Sequence, residues 1–394
     1  MLTKSPPNKS SHYMKSCVAQ FVNSFIDRPG NIGIRTGYVL REMSKRNICS
    51  ISYCRGAEKC IEGARYVSMG YLGHIPRLMN AFRIYIHKSW DHRPVDIHFF
   101  QWFSMRNIAR LDGDEIKVAH VWDYCPELIK ELKNKGVKVI LDVPVVPLSY
   151  GRRLATEKGI PYFQGSDQMM ELEKESYFLA DLILAPSEFV YDELILSGVS
   201  EDKVRVIEFG AKVTEASPIR VDKESDSGIN YCFLGNVNRR KGIIELLNVW
   251  GTNDFGRDRL HLCGRIFPEV KSDIEKSGQG GGIVTPGFVD SSSYLQKCHV
   301  FVFPSWLEGS SKAVYEAMAH GMPVITTRSA GSIVRDGVDG FVIEAGDEDA
   351  LWDKMMWFKD HPEEIEKMGN AARHRVSGYT WDRYAEKVVD LYSG

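Results

Sequence analysis

The chain has 394 residues, 43% of them hydrophobic and 26% charged, which is ordinary for a soluble globular protein but long for a single core, so two domains are expected. A formal net charge of -2 excludes a molecule that holds nucleic acid by its overall charge. No run approaches eighteen apolar residues, and the first ten residues contain no apolar signal core, so neither a transmembrane helix nor a secretory signal is expected.

Residues 1–14 read as a polar leader. Cys17 to Phe25 then reads as a strand, followed by a loop from Asp27 to Gly37, a helix over 36–46 and a second strand from Ile48 to Tyr53. This is the start of a βαβ unit. The segment 75–110 is less regular. Ile75 to Trp90 has the pattern of an amphipathic helix with Arg77, Arg83 and Lys88 among apolar residues, and Phe99-Phe100-Gln101-Trp102-Phe103 follows. Two readings stay open: peripheral contact of the N-terminal domain with a membrane surface, and a core-packed helix pair. Asp112-Gly-Asp114 reads as a polar turn, not as a metal-binding pair.

The βα rhythm returns with strands at Lys117–Trp122 and Val137–Val143 around a helix at Pro126–Asn134. A helix at Glu171–Phe178, a strand at Leu182–Ala185, a helix opened by Pro186-Ser187 and running to Leu196, and a strand at Val204–Phe209 come next. The polar, aperiodic stretch 214–229 reads as an interdomain linker. Beyond it, strands are expected at Tyr231–Leu234, Leu260–Cys263, Ile283–Thr285, Val300–Phe303, Val324–Thr326 and Gly340–Ile343. Alternating strands and helices imply mainly parallel sheets covered on both faces. The domains are therefore 1–212 and 213–377. Two such domains in tandem leave a cleft where ligands bind.

The eight cysteines include no C-x-x-C pair, and several lie in apolar strand-like runs. They read as reduced structural thiols, and hence as a sign of a cytosolic compartment. The first half of the chain is mildly basic. An anionic acceptor or membrane surface is one reading of that, and a solvated surface is the other.

Two segments carry chemistry. Residues 302–327 read as strand, loop, helix, tight turn and strand. Ser310 and Ser311 suit a helix N-cap, because a serine oxygen accepts from first-turn amides. Gly321 and Pro323 stop the helix. Glu308 stands in the loop, and Glu316 lies about 7 Å along the helix axis. A helix N-terminus offers free N–H groups and partial positive charge, which suits a phosphate. The second segment, residues 231–242, is a strand, then Gly235 and Asn236, then three adjacent cations, Arg239, Arg240 and Lys241. Cations at the carboxyl end of a parallel strand suit a diphosphate, Arg as a planar fork and Lys as a point charge.

On these segments the chain resembles the retaining glycosyltransferases of family 4 (glycosyl transferases group 1) over nearly its whole length, from about 17 to 390. The most specific match is Glu308 to Glu316, the family's E-x7-E motif, followed by Ala317-Met-Ala-His-Gly-Met-Pro-Val-Ile325. Phe233-Leu-Gly through Lys241-Gly242, Leu184-Ala-Pro-Ser-Glu-Phe-Val190, Val204-Arg-Val-Ile-Glu-Phe-Gly210 and Pro286-Gly-Phe-Val289 support it. The resemblance implies a GT-B fold: two tandem Rossmann-like α/β domains facing each other across a cleft, with residues 378–394 crossing back as a helix.

The implied function is transfer of a sugar, a hexose, from a nucleotide-diphosphate sugar to an acceptor hydroxyl with retention, in polysaccharide or glycoconjugate synthesis. The nucleotide sugar is a co-substrate, and neither cofactor nor metal ion is implied. In the family, Lys241 and a nearby Arg hold the diphosphate, Glu308 contacts the donor sugar and Glu316 the ribose. The backbone around Phe288 lies near the base, and Gly33 faces the phosphates. Lys241, Arg240 and Glu308 are thus the expected catalytic residues. Gly33, Gly235, Asn236, Arg239, Phe288, Ser310, Ser311, Lys312 and Glu316 are the expected donor-binding residues.

Asn236 stands where members carry Arg, so either Arg239 or Arg240 supplies that charge. Residues 142–147 lack the family's N-domain histidine. His120, at a strand end, reads either as a core histidine or as a cleft residue. The acceptor is open between lipid-linked and oligosaccharide classes, and the location between the cytoplasm at large and the inner face of the membrane. A nucleotide-sugar epimerase of the same fold, or a nucleotide-sugar-binding protein with little activity, are the alternative readings.

Overall fold

The computed structural model describes residues 17–28, 30–75, 91–109, 116–159, 165–213 and 228–393. It opens with β1 (Cys17–Ile26), α1 (Asn31–Lys45), β2 (Ser50–Ala57), β3 (Ala64–Ser68), α2 (Arg93–Ile108), β4 (Ile116–Val121), α3 (Pro126–Asn134) and β5 (Lys138–Asp142). It continues with α4 (Leu148–Lys158), α5 (Asp167–Leu179), β6 (Leu182–Ala185), α6 (Glu188–Leu196) and β7 (Val204–Val206). These strands form a sheet in the order β3-β2-β1-β4-β5-β6-β7.

After the linker come β8 (Asn230–Leu234), α7 (Ile243–Thr252), β9 (Arg259–Cys263), α8 (Lys271–Ser277), β10 (Ile283–Gly287) and α9 (Ser291–Leu295). Then follow β11 (Val300–Phe303), α10 (Lys312–Ala319), β12 (Val324–Thr327), β13 (Gly340–Ile343), α11 (Glu348–Asp360), α12 (Pro362–Ser377) and α13 (Trp381–Asp390). The second sheet has the order β10-β9-β8-β11-β12-β13. The pairs β1–β2, β1–β4, β8–β11 and β11–β12 are all parallel.

Strands such as β6, β8 and β11 are short, mostly apolar runs, as expected where a parallel sheet is covered on both faces. Phe21 of β1 stacks on Tyr53 of β2 at 4.7 Å, and both are buried. In the second sheet all four residues of β11 are fully buried, and Phe233 stacks on Phe303 at 5.4 Å. Helix starts follow local chemistry. Ser187 caps α6 by accepting from Val190 N, Asp347 caps α11 from Ala350 N, and Thr380 caps α13 from Arg383 N.

By density of contacts the chain divides into two compact units, Met1–Ile140 and Leu141–Gly394, with the division inside β5. Within the second unit, α13 lies against the segment leaving β7. Trp381 and Tyr384 meet Phe209, Ala211 N donates to Tyr379 O at 3.0 Å, and Lys387 pairs with Glu208 at 3.0 Å.

Several expectations need correction. Helix α1 starts at Asn31, earlier than 36, and takes Gly33 into its first turn. A strand at Ala64–Ser68, absent from the sequence reading, pairs with β2; its residues are mostly half-exposed, so it has no apolar run to announce it. Of the segment 75–110, residues 76–90 lie outside the described residues, as do Asp112-Gly-Asp114 and 214–227 of the linker. Helix α2 packs on Ile97, Phe100, Gln101 and Ser104 and leaves Trp102 half-exposed. No helix among the described residues is long and apolar enough to cross a membrane.

The cysteines are not all reduced: Cys17 and Cys49 form a disulfide. They precede the paired residues Val18 and Ser50 of neighbouring parallel strands, so register brings them together. Val18 N donates to Cys49 O at 2.9 Å, and Arg65 Nη2 donates to both sulfurs, at 3.0 and 3.3 Å. The inference from wholly reduced thiols to a cytosolic compartment thereby loses its premise. Alkylation of the denatured, unreduced protein, read by intact mass, is expected to modify the six free cysteines and spare Cys17 and Cys49 until a reductant is added. Full alkylation without reductant would contradict the pairing.

Candidate functional site

Two loops of the second unit leave the carboxyl ends of adjacent parallel strands, β8 and β11, and are tied to each other. The first loop runs from Gly235 through Asn236 to a 3-10 turn at Arg239–Lys241 and enters α7 at Gly242. Gly242 has φ +72, and a Cβ there would collide with Pro304 O of the second loop. Only glycine gives this close approach without strain. The carbonyl of Arg240 accepts from Trp306 N at 3.1 Å and Ser305 Oγ at 3.3 Å. Trp306 is itself held by Glu245 of α7, which accepts from its indole N–H at 2.9 Å. Burial pushes the Glu245 carboxyl up, its backbone and indole hydrogen bonds opposing.

These ties bring the side chains of Arg240 and Lys241 onto one oxygen. Glu308 Oε1 receives Lys241 Nζ at 2.6 Å and Arg240 Nη1 at 2.9 Å. Arg240 Nη1 also donates to Leu307 O. The Lys241 ammonium lies 4.7 Å over the Phe303 ring, a favourable cation–π position. Burial pulls the Lys241 pKa down, Glu308 opposes this, and the neighbouring Arg240 charge adds to it. The side chains of Lys241 and Glu308 are only 13% and 14% exposed, so the pair is screened far less than a surface salt bridge.

Glu308 has little freedom. Its amide donates to Ser329 O at 3.0 Å. Gly309 has no room for a Cβ, which would collide with Pro144 O, and its carbonyl accepts from Ser187 Oγ at 2.7 Å. Gly331, with φ +62, meets Gly309 O just as closely.

The other expected residues are placed as follows. Arg239 turns away from Glu308 and contacts Glu269 O at 3.3 Å and Asp273 at 3.4 Å. Arg240 is therefore the arginine that joins Lys241. Gly235 has φ +144 and Lys241 Nζ beside it; Asn236 is exposed. Phe288 is 95% exposed at the end of β10. Helix α10 starts at Lys312 with Ser311 at the N-cap position, but the Ser311 side chain makes no capping bond. The Ser311 amide is spent on Ala330 O at 3.1 Å, and the Ser310 hydroxyl donates to Tyr315 at 3.2 Å. The N-terminal charge of α10 thus falls to the Lys312 and Ala313 amides and to the Lys312 side chain, which pairs with Glu316 at 2.8 Å. Tyr315 stays buried, and burial drives its hydroxyl well up. Trp306, Glu245 and Phe303 shape the site without having been singled out from the sequence. The tryptophan beside an E-x7-E loop was the available signal.

Such an arrangement can bind a doubly charged anion with two cations and a helix start, and a polyol with one carboxylate. Among the described residues, no group of three or more His, Cys, Asp and Glu side chains is placed to hold a metal ion.

Residues 228–360 match the family of the glycosyl transferases group 1. The match takes in both loops of the candidate site. The chain is 29% identical over 260 residues to the capsular polysaccharide biosynthesis glycosyltransferase CapM of Staphylococcus aureus, an alignment covering 61% of this chain and 66% of CapM. It spans less than two thirds of the length of that relative, and the match to a sucrose synthase covers only 26% of it. Among solved structures, the sucrose-phosphate synthase of Thermosynechococcus elongatus superposes with a TM-score of 0.74 at 17% identity, covering 96% of this chain and 98% of that one. HepE of Anabaena, in complex with UDP and glucose, superposes with a TM-score of 0.65 at 13% identity, covering 97% and 100%. At these identities the likeness shows the fold: two parallel-sheet, Rossmann-like α/β domains of the GT-B type. The matched stretch 228–360 contains every candidate residue except Gly33.

In the first unit, Gly33 sits in the first turn of α1, where a Cβ would press on Arg28 O and Phe25 O. The close approach that requires glycine is made by the chain's own backbone. His120 is fully buried, stacked on Trp122 at 4.3 Å; Trp122 donates to Gln20 at 2.8 Å and carries Arg35 at 5.0 Å. It is a core histidine. Burial, reinforced by the Arg35 charge, holds its pKa well below the usual 6.5. Below pH 6.5 the unfolded chain therefore takes up a proton that the folded chain refuses, and stability falls with pH. Between pH 6.5 and 5 this amounts to at most about 2 kcal/mol, at about 1.4 kcal/mol per unit. Urea denaturation at pH 7 and pH 5 should show His120→Gln losing less stability than the parent. An equal loss in both would refute the assignment.

Proposed function

We propose that this chain is a retaining glycosyltransferase that moves a sugar, a hexose, from a nucleotide-diphosphate sugar to an acceptor hydroxyl in polysaccharide or glycoconjugate synthesis. The observation that carries the reading is the convergence of Lys241 and Arg240 on Glu308 inside a group 1 domain. The name of its relative CapM and the UDP and glucose bound to HepE support the substrate class.

In this reading the diphosphate lies against Lys241 and Arg240 and near the first-turn amides of α10, and Glu308 accepts from hydroxyls of the donor sugar. Glu316, paired with Lys312 on α10, takes the ribose, and exposed Phe288 borders the base. In the transfer step the bond between the anomeric carbon and the phosphate oxygen breaks. A bond from the acceptor oxygen forms on the same face, and the acceptor proton passes to the leaving phosphate. Negative charge grows on the leaving diphosphate, and preorganised cations that meet it lower the barrier. The two side-chain cations, and not a metal ion, take up that charge. Lys241 suits the task because its largely enclosed side chain meets that charge with little screening, and Arg240 adds a planar fork of donors.

Lys241→Ala and Arg240→Ala should each lower transfer by at least about tenfold, since removal of one preorganised donor costs a few kcal/mol. Glu308→Ala should do the same, while Arg239→Ala stays within about threefold of the parent because its partners lie on α8 and the turn before it. Steady-state rates with circular dichroism as the folding control decide this. Normal rates in Lys241→Ala and Glu308→Ala, or a larger loss in Arg239→Ala than in Arg240→Ala, would reject the site.

A further inference from the structure

We propose that Glu308 is a specificity-determining residue that makes the site reject a bare nucleoside diphosphate in favour of its sugar conjugate. The inference rests on the donor-site reading above and concerns the ground-state occupancy of the same cations.

One oxygen of Glu308 binds both Lys241 and Arg240, at 2.6 and 2.9 Å. A diphosphate drawn to those cations meets a carboxylate already on them, so the two anions compete for the same donors. Lys241 is nearly enclosed, with the Phe303 ring on one side, and an enclosed ammonium without an anion is strongly disfavoured. An internal anion in the empty site satisfies it.

Where Glu308 goes on displacement decides the selectivity. Its backbone is pinned by the bond to Ser329 O, and the following glycine is wedged between Pro144, Ser187 and Gly331. The carboxylate can rotate but cannot leave, and it remains beside the incoming phosphate. A bare diphosphate brings only more negative charge to that position. It leaves a largely buried carboxylate without a donor, which carries a full desolvation penalty. A diphosphate with a sugar attached brings hydroxyl groups, and the displaced carboxylate accepts from them. The same group therefore penalises one ligand and rewards the other, which is specificity built from a repulsive element. After transfer, the sugar is gone, Glu308 returns to Lys241 and Arg240, and the nucleoside diphosphate is expelled.

Titration calorimetry on the full chain tests this with three pairs of probes, UDP and UDP-glucose, GDP and GDP-mannose, and ADP and ADP-glucose, together with inorganic pyrophosphate. For the pair that binds, Glu308→Gln should tighten the bare diphosphate by about tenfold or more while the conjugate stays equal or weakens, so the ratio of the two dissociation constants falls by at least that factor. Pyrophosphate should tighten in the same direction. Glu308→Ala provides a second variant of different shape with the same expected direction. Lys241→Ala should weaken both members of the pair together and keep their ratio within about threefold. Unchanged or weaker binding of the bare diphosphate in both Glu308 variants, with a conjugate still bound by the parent, overturns the inference and leaves the donor site standing. Binding of none of the three pairs by the parent overturns the donor-site reading and this inference with it.

Discussion

One carboxylate oxygen, Glu308 Oε1, joins the two loops on which the candidate chemistry depends. It draws a largely enclosed lysine and a half-buried arginine from one loop onto a glutamate of the other. In water such contacts contribute little, but here both partners of the shorter pair are largely enclosed, and an unpaired charge in that environment is costly. The pairing therefore dictates the neighbourhood: Phe303 beneath the ammonium, the Arg240 carbonyl tied to Ser305 and Trp306, and Trp306 anchored on Glu245. Taking Glu308 away leaves two cations facing each other, and taking Lys241 away leaves Arg240 alone with the carboxylate.

Backbone packing enforces the electrostatics. Gly242 against Pro304, Gly309 against Pro144 and Gly331 against Gly309 are approaches that a methyl group would prevent. Each brings a main chain to within touching distance of another, and together they leave the loop from Pro304 to Ser311 little room to move. A site made this way is preorganised before ligand arrives, the condition under which fixed charges lower a barrier without reorganisation.

Strands with both faces buried were plain in the sequence. Val300–Phe303, Leu182–Ala185 and Gly340–Ile343 run between the boundaries expected from their apolar runs, and so does the helix Pro126–Asn134 with its proline at the first turn. The partly exposed β3 was not legible, because it has no apolar run. Nor was the Cys17–Cys49 bond, which joins two cysteines 32 residues apart and depends on the register of β1 and β2. At the site, residue types were legible and their partners were not. Whether Arg239 or Arg240 joins Lys241 was open in the sequence, and a 3-10 turn sends Arg239 toward α8 and Arg240 toward Glu308. Ser310 and Ser311 were read as a phosphate cradle, but their hydroxyl and amide are taken up by Tyr315 and Ala330, partners that sequence spacing alone does not reveal. Gly33 was read as facing the donor phosphates, and the atoms that crowd its Cβ position are the carbonyls of Phe25 and Arg28.

The central claim, that Lys241 and its partners form the diphosphate end of a nucleotide-sugar site, is tested most directly by thermal unfolding across a panel of nucleotide sugars. A ligand at a hundredfold its dissociation constant adds about 2.7 kcal/mol to the folded state. The account predicts that one member of the panel raises the midpoint of the parent and that the shift disappears in folded Lys241→Ala. An unmoved midpoint with every nucleotide sugar, or an equal shift in parent and variant, would contradict it.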